Sequence, residues 1–335
     1  GVVLPERTIG YDTLVLAVGS ESNDFGVPGV AAHAMTLDTP AQAERFHRRL
    51  LAASVRADAR RSAGGEGVVD IVIIGAGATG VELAAEIRQT TRDHAAYGLD
   101  HLDPTHDIRL TIVEAAPRIL PPLSGKIAEA ATELLRKLNV DVRVGEKVVE
   151  VTGDAVQTAG GRRYPADLVV WAAGIRAPKW LTTLGLATNR ANQVVVAQTL
   201  QSTVDPDVFA LGDCAACPWP DAGPDAIVPP RAQVAHQQAS LLVKTLRARL
   251  YGKPLPRFRF RDYGSLVSLG EISAVGTLMG RLIGGSLLVQ GLIARWMYAS
   301  LYKMHQVSLH GVVRVAFDTL GRLLRGGVEP RIKLH

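Results

Sequence analysis

Several features are scarce in this sequence, and each scarcity removes a class of protein. Two cysteines in 335 residues, Cys214 and Cys217, exclude a disulfide-stapled scaffold. No apolar run approaches the roughly 18 residues that a membrane-spanning helix requires. The longest charge-free stretch of the C-terminal region, Leu282–Ala294, has 13 residues and contains Gly284 and Gly285. No secretory signal is visible. The chain starts at Gly1, inside what reads as a strand, so a longer N-terminal unit is expected. Acidic residues are missing altogether between Lys244 and Arg261. What is present is a globular composition. Apolar residues at 47% allow sizeable cores, and charged residues at 21% argue against disorder. At about 150 residues per domain, the length suits two domains.

The acid-free stretch holds Lys244, Arg247, Arg249, Lys253, Arg257, Arg259 and Arg261. Residues 244–335 carry a net charge of +11 and residues 1–243 carry −6, for +5 overall. This asymmetry points to an anionic surface facing the C-terminal part, either membrane or nucleic acid. A solvated basic face is the alternative.

Along the chain, apolar runs alternate with helical periodicity. Thr13–Val18 reads as a buried strand ending at Gly19. Pro40–Ser54 has helical spacing, and Ser62–Gly67 reads as a linker. Val68–Ile74 is a strand, Val81–Arg92 a helix, Arg109–Val113 a strand, Ser124–Leu138 a helix and Val140–Val144 a strand. Further strands follow at Lys147–Val151, Asp167–Ala173, Val194–Val196 and Val208–Leu211, then a helix at Arg231–Tyr251. The alternation predicts an α/β fold built on parallel, doubly wound sheets.

Gly75, Gly77 and Gly80 form Gly-x-Gly-x-x-Gly between the strand and the helix, the context a dinucleotide loop needs. Gly75 permits the turn, Gly77 lets backbone approach a pyrophosphate, and Gly80 lets the helix pack on the strand. The free N–H groups of the helix then face the phosphates. Glu114, at the end of the next strand, is placed to accept hydrogen bonds from an adenosine ribose and to repel a 2′-phosphate. NADH is therefore expected over NADPH. An insertion at Asp93–Asp107 lengthens the usual gap between the two motifs. A second nucleotide site is suggested by Gly212 and Asp213, where a buried strand delivers a carboxylate that can accept hydroxyls of a ribose or ribityl chain. Gly19 ends a comparable strand.

The set YDTLVLAVGS, GAGATGVELAAE, DLVVWAAGI and DVFALGDCA resembles the flavoprotein oxidoreductases with two dinucleotide-binding, Rossmann-like domains. Within that group, PPRAQVAHQQA, GLIARWMYASLYKMHQVSLHG and the closing RIKLH are similar to the type II NADH:quinone oxidoreductases, single-subunit respiratory enzymes of bacteria. The resemblance implies FAD and NADH as cofactors and a membrane quinone as acceptor. It also implies a peripheral position on the cytoplasmic face of the inner membrane, without proton pumping. The family opens with its own glycine-rich loop for the FAD pyrophosphate. No such loop precedes Tyr11, so the chain is expected to carry only the remainder of that site.

The resemblance also implies roles for single residues. Glu82, just past the glycine loop, matches a carboxylate near the nicotinamide and flavin; its other reading is a helix N-terminal acid favoured by the macrodipole. Gly174 matches the loop on the nicotinamide side, and Trp171 reads as core. Pro229–Gln238 matches the segment beside the flavin ring and the quinone, where Gln233 and His236 can donate to a quinone carbonyl. Cys214 and Cys217 read as structural. As a redox pair they would point instead to a soluble FAD-dependent reductase of a thiol or carrier protein.

Leu309, Val312, Val313, Ala316, Phe317, Leu320, Leu323 and Leu324 share one helical face, opposite Arg314, Asp318, Arg322 and Arg325. With Leu287–Met304 before it, this predicts an interfacial helix pair on an anionic lipid surface. Packing on the core or in a homodimer is the alternative cover. A nucleic-acid partner is not expected, because it leaves the glycine loop and Glu114 unexplained. The motifs divide the chain into 1–66, the remainder of an FAD domain and a linker; 67–185, an NADH domain; 186–252, the returning FAD domain; and 253–335, a membrane-association region.

Overall fold

The computed structural model describes residues 7–96, 98–269, 273–280, 285–290, 300, 303–304, 306–307 and 309–325. The chain runs through β1 (Leu14–Leu16), β2 (Glu21–Ser22), α1 (Val30–His33), β3 (Ala34–Met35), α2 (Pro40–Ser62), β4 (Val69–Ile74), α3 (Ala78–Ala96), β5 (Ile108–Glu114) and α4 (Gly125–Lys137). It continues through β6 (Val140–Val144), β7 (Val148–Val151), β8 (Ala155–Thr158), β9 (Arg163–Pro165), β10 (Leu168–Trp171) and β11 (Ile175–Arg176). Then come β12 (Val194–Val195), β13 (Val208–Ala210), β14 (Ala215–Ala216), α5 (Ala232–Leu250), β15 (Gly264–Leu269), β16 (Ser273–Gly280), β17 (Gly285–Gln290) and α6 (Val312–Arg325). Two units separate. The first spans Gly1–Asn23 and Ile175–Asp262; the second spans Asp24–Gly174 and Tyr263–His335. β3 pairs with β10 in the sheet that carries the glycine turn, and α2 packs on it, so both belong to the second unit.

That sheet, in the second unit, has the order β3-β10-β4-β5-β6, with every pair parallel. A parallel sheet is covered on both faces, which is why its strands read as unbroken apolar runs. The period of two sorts them. Val69, Ile71 and Ile73 of β4, with Leu168 and Val170 of β10, pack on one side with Phe46, Leu50, Ala84 and Leu135 of the helices. Val72 and Ile74, with Val169 and Trp171, pack on the other with Val148, Val151 and Val156 of the antiparallel β7-β8-β9 meander. Trp171 is thus a core residue.

α2 begins where its sequence dictates. Thr39 Oγ1 accepts from the Gln42 N–H at 3.3 Å, Gln42 Oε1 accepts from the Thr39 N–H at 2.9 Å, and Pro40 opens the helix. The helix then runs two turns past Ser54. The insertion before β5 is held by Arg88 of α3, which is fully buried. Its Nη1 donates to the Pro104 and Ile108 carbonyls at 2.5 and 3.0 Å, and its Nη2 to the Asn139 carbonyl at 2.8 Å. Burial lowers its pKa to about 10. One side chain so ties the starts of β5 and β6, and aligns the strand that delivers Glu114.

The first unit has shorter ladders: β1-β13 and β12-β14 are parallel, and β2-β11 is antiparallel. α5 buries Val234, Gln238, Leu242 and Thr245. Phe209, Cys214, Cys217, Phe258 and Phe260 belong to the same core.

In the C-terminal region β15, β16 and β17 form an antiparallel meander. The expected helix from Leu287 is therefore corrected over Leu287–Gln290, which lie in β17 opposite Leu278, Thr277, Gly276 and Val275. A partner strand satisfies these backbone groups, and helical spacing alone cannot foresee one. Arg295, Trp296, Tyr298 and Tyr302 lie outside the described residues. α6 is a helix as expected, and the part of its apolar stripe up to Leu320 is uncovered. Leu309, Val312, Val313, Phe317 and Leu320 are exposed, and Val315 is buried. No described helix is long and apolar enough to cross a membrane.

Candidate functional site

The glycine turn lies between β4 and α3, at the C-terminal end of the sheet. Gly75 has φ +103°, and its N–H donates to the Val113 carbonyl at 2.8 Å. A Cβ on Gly80 would stand 1.9 Å from the Gly75 carbonyl oxygen, so only glycine lets the helix approach the turn. A Cβ on Gly77 would meet nothing within 4 Å, leaving its backbone open to a ligand. Glu114 ends β5 beside this turn. Its Oε2 accepts from the Ala76 N–H at 2.6 Å, and its Oε1 accepts from the Ala116 N–H at 2.8 Å. Two backbone donors thus fix a carboxylate whose remaining lone pairs can accept further hydroxyls.

A cavity of about 280 Å³ opens here, lined by Gly75, Glu114, Glu146, Lys147, Phe25 and Trp171 among others. Glu146 escaped the sequence reading. Its N–H donates to the Glu114 carbonyl at 2.9 Å, and its carboxylate accepts from Thr158 Oγ1 at 2.9 Å and pairs with Arg162 at 2.6 Å. The signal was the Gly145-Glu146 pair closing β6, where Gly145 has φ +72°. Glu82 stands half-buried just past the first turn of α3. Gly174 follows β10; a Cβ there would lie 2.6 Å from the Phe25 ring, so the glycine leaves room for that ring at the cavity wall.

The first unit builds a second cradle from Gly19, Gly212 and Asp213. Both glycines have positive φ, +69° and +72°. Ser20 Oγ donates to Asp213 Oδ2 at 2.8 Å. Two buried glutamines hold the turn: the Gly212 N–H donates to Gln238 Oε1 at 2.7 Å, and Gln193 Nε2 donates to the Asp213 carbonyl at 2.9 Å. Neither was singled out from sequence. Gln238 had a signal, since it sits between Val234 and Leu242 on a helical stripe otherwise apolar. Gln233 and His236 are half-buried on the first turns of the same helix.

The structure thus gathers Gly75, Gly77, Gly80, Glu82, Glu114 and Gly174 in one unit, and Gly19, Gly212, Asp213, Gln233 and His236 in the other. The cysteines are fully buried. Cys214 Sγ donates to the Leu16 and Leu211 carbonyls at 3.5 and 3.2 Å. Burial pushes both thiols up, Cys217 to about 11. A reactive thiol needs exposure and a low pKa, so neither is built for thiol exchange.

Comparison with known proteins bears on the family and the fold. The family model for pyridine nucleotide-disulphide oxidoreductases matches residues 2–239. A type II NADH:quinone oxidoreductase of Haemophilus influenzae is 40% identical, over 98% of this chain and 76% of the relative. One from Staphylococcus aureus strain NCTC 8325 is 30% identical, over 82% of this chain and 67% of the relative. Among solved structures, NDH2 from Plasmodium falciparum in complex with NADH has a TM-score of 0.78 at 18% identity, covering 97% of this chain and 80% of that one, a likeness of fold. Sequence motifs, doubly wound architecture and homology converge: the chain belongs to the type II NADH:quinone oxidoreductases, within the pyridine nucleotide-disulphide oxidoreductase family.

Proposed function

We propose that this chain oxidises NADH and reduces a membrane quinone through FAD, as a peripheral respiratory enzyme of the cytoplasmic face that moves no protons across the bilayer. FAD, when bound, supplies the two-electron exchange that links a nicotinamide to a quinone. The residues present fit its sugar chain. Asp213 already accepts from one hydroxyl, that of Ser20, and a Cβ on Gly19 would meet nothing within 4 Å.

The chain's own residues would divide the work. Gly77 and the α3 N-terminus hold the NADH pyrophosphate, and Gly174 leaves space beside the cavity. Glu82 places a carboxyl group near the nicotinamide end. Gln233 and His236 supply donors for a quinone carbonyl. The exposed stripe of α6 supports attachment to a lipid surface, where such a quinone dissolves; a homodimer is the other arrangement that would cover it.

The observation that carries the reading is the Glu114 carboxylate, fixed by the Ala76 and Ala116 N–H groups beside the glycine turn. It suits a ribose with free hydroxyls and repels a 2′-phosphate. Glu114→Gln should lower the NADH-over-NADPH ratio of kcat/KM by about tenfold or more, since a hydrogen bond to a charged group is worth roughly 1.5–3 kcal/mol. Steady-state kinetics with both nucleotides and a quinone acceptor check this; an unchanged ratio removes Glu114 from the ribose site.

A further inference from the structure

The acid-free stretch of the sequence folds entirely within the first unit. On α5, Leu242 and Thr245 are buried, whereas Val243, Lys244, Arg247 and Leu250 are exposed together on the opposite face. After Tyr251 the chain returns along the helix. The Lys253 N–H donates to the Ala248 carbonyl at 2.8 Å. Further on, Gln237 of α5 grips the backbone of Arg261: its Nε2 donates to the carbonyl at 2.8 Å and its Oε1 accepts from the N–H at 3.1 Å. Between these ties, Phe258 and Phe260 are buried, and the Phe258 N–H donates to the Gln198 carbonyl at 2.7 Å. The period of two then turns Arg257, Arg259 and Arg261 to the exposed side.

Several cations of the molecule are neutralised within the fold. Arg61 pairs with Asp107, Arg136 with Glu133, Arg163 with Asp154, Arg231 with Asp262 and Arg249 with Asp207. Lys244, Arg247, Lys253, Arg257, Arg259 and Arg261 are exposed, and among the described residues none of them has an acidic partner. Asp221 shares a cleft of about 140 Å³ with Arg257 and Arg259 and pairs with neither. Apolar groups stand among these charges: Leu250 is 82% and Tyr251 75% exposed, and Lys253 Nζ lies 5.9 Å from the Tyr251 ring centre.

We propose that the C-terminal half of α5 and residues 253–261 form a docking face for an anionic lipid bilayer. The proposal rests on the reading of the chain as a membrane-quinone reductase. Unpaired cations on a pinned backbone match phosphate headgroups without prior loss of internal ion pairs. A nucleic acid would satisfy the charges alone. The boundary between headgroups and acyl chains also takes up Leu250 and the Tyr251 ring.

Sedimentation of the full chain with vesicles of equal parts phosphatidylglycerol and phosphatidylcholine tests this. Near such a surface each cation contributes about fivefold in partition at low salt, so R257Q/R259Q/R261Q should weaken binding on the order of a hundredfold. The matching Arg→Lys triple should bind like the parent. Vesicles of phosphatidylcholine alone should bind parent and Gln triple alike and weakly. The side chains are exposed, and an unchanged melting temperature verifies the fold. Equal binding of folded Gln triple and parent to the anionic vesicles overturns the proposal. So does tighter binding of the parent to duplex DNA than to those vesicles at the same salt, which would make the face a nucleic-acid site. Failure of NADH-dependent reduction of a water-soluble quinone, with vesicle binding intact, would instead overturn the enzyme reading.

Discussion

The two units reach a nucleotide-shaped cradle by different means. In the second unit, five parallel strands lay down a continuous ladder, and backbone groups do most of the positioning: the Ala76 and Ala116 N–H groups fix Glu114, and the Val113 carbonyl fixes Gly75. In the first unit the ladders are two strands wide, and side-chain amides take over. Gln238 holds Gly212, Gln193 holds Asp213, and Gln198 and Gln237 hold the segment that follows α5. Sites made by backbone tolerate most side-chain changes except at glycine. Sites made by buried amides depend on single residues, because a buried donor without its acceptor costs more than the bond contributes.

This contrast breaks first at the glycines. Gly80→Ala places a methyl group against the Gly75 carbonyl oxygen, and backbone cannot move aside as a side chain can. NADH kcat/KM should fall on the order of a hundredfold, consistent with an overpacking cost of roughly 1–3 kcal/mol spent at the turn itself. Flavin content should stay at the parent level, as read from the absorption spectrum. Loss of both together would mean that the turn supports the whole molecule.

The amide side of the contrast is tested at Gln238, 1% exposed. Gln238→Leu keeps the size and removes the acceptor from the Gly212 N–H, so stability should drop by about 1–3 kcal/mol in denaturant titration. Gln238→Glu retains an acceptor at that position. If the leucine variant is as stable as the parent, the amide does not hold the turn.

Gln233 differs from Gln238 in standing half-buried on the same helix. Its loss should touch the quinone alone. Gln233→Ala is expected to lower quinone kcat/KM about three- to tenfold, the worth of one net hydrogen bond, with NADH-dependent ferricyanide reduction near the parent rate. Parallel loss of both activities would assign it to the flavin or the fold.

The smallest effect concerns the second unit's stability. His94 of α3 is buried, with its ring 5.3 Å from that of His47 in an edge-on pair. Burial first, and His47 second, lower its pKa below the usual 6.5. As pH falls through that usual value the unfolded chain takes up a proton that the folded one refuses, so stability declines until the lowered folded pKa is reached. His94→Phe should flatten this acid limb of the melting temperature slightly. An acid limb identical in parent and variant would place the sensitivity elsewhere.

The chain's own pattern determined the doubly wound sheet and its nucleotide turn, because local chemistry suffices for them. Apolar runs such as Val69–Ile74 suit only strands buried on both faces, and Gly75 and Gly80 stand in the turn where a side chain would meet backbone. The acid-free stretch was equally plain in the sequence. What it did with those charges was not. Tertiary structure decided that Arg249 pairs with Asp207, whereas Arg257, Arg259 and Arg261 stay outside the Phe258–Phe260 core with no acidic partner among the described residues. It likewise placed Leu287–Gln290 in a strand instead of a helix. It recruited Gln193, Gln238, Glu146 and Arg88 to hold the cradles. The Arg249 pair, the β17 register and the contacts that hold the cradles each rest on a hydrogen bond or ion pair between separate segments of the chain, and such a partner leaves no trace in local spacing.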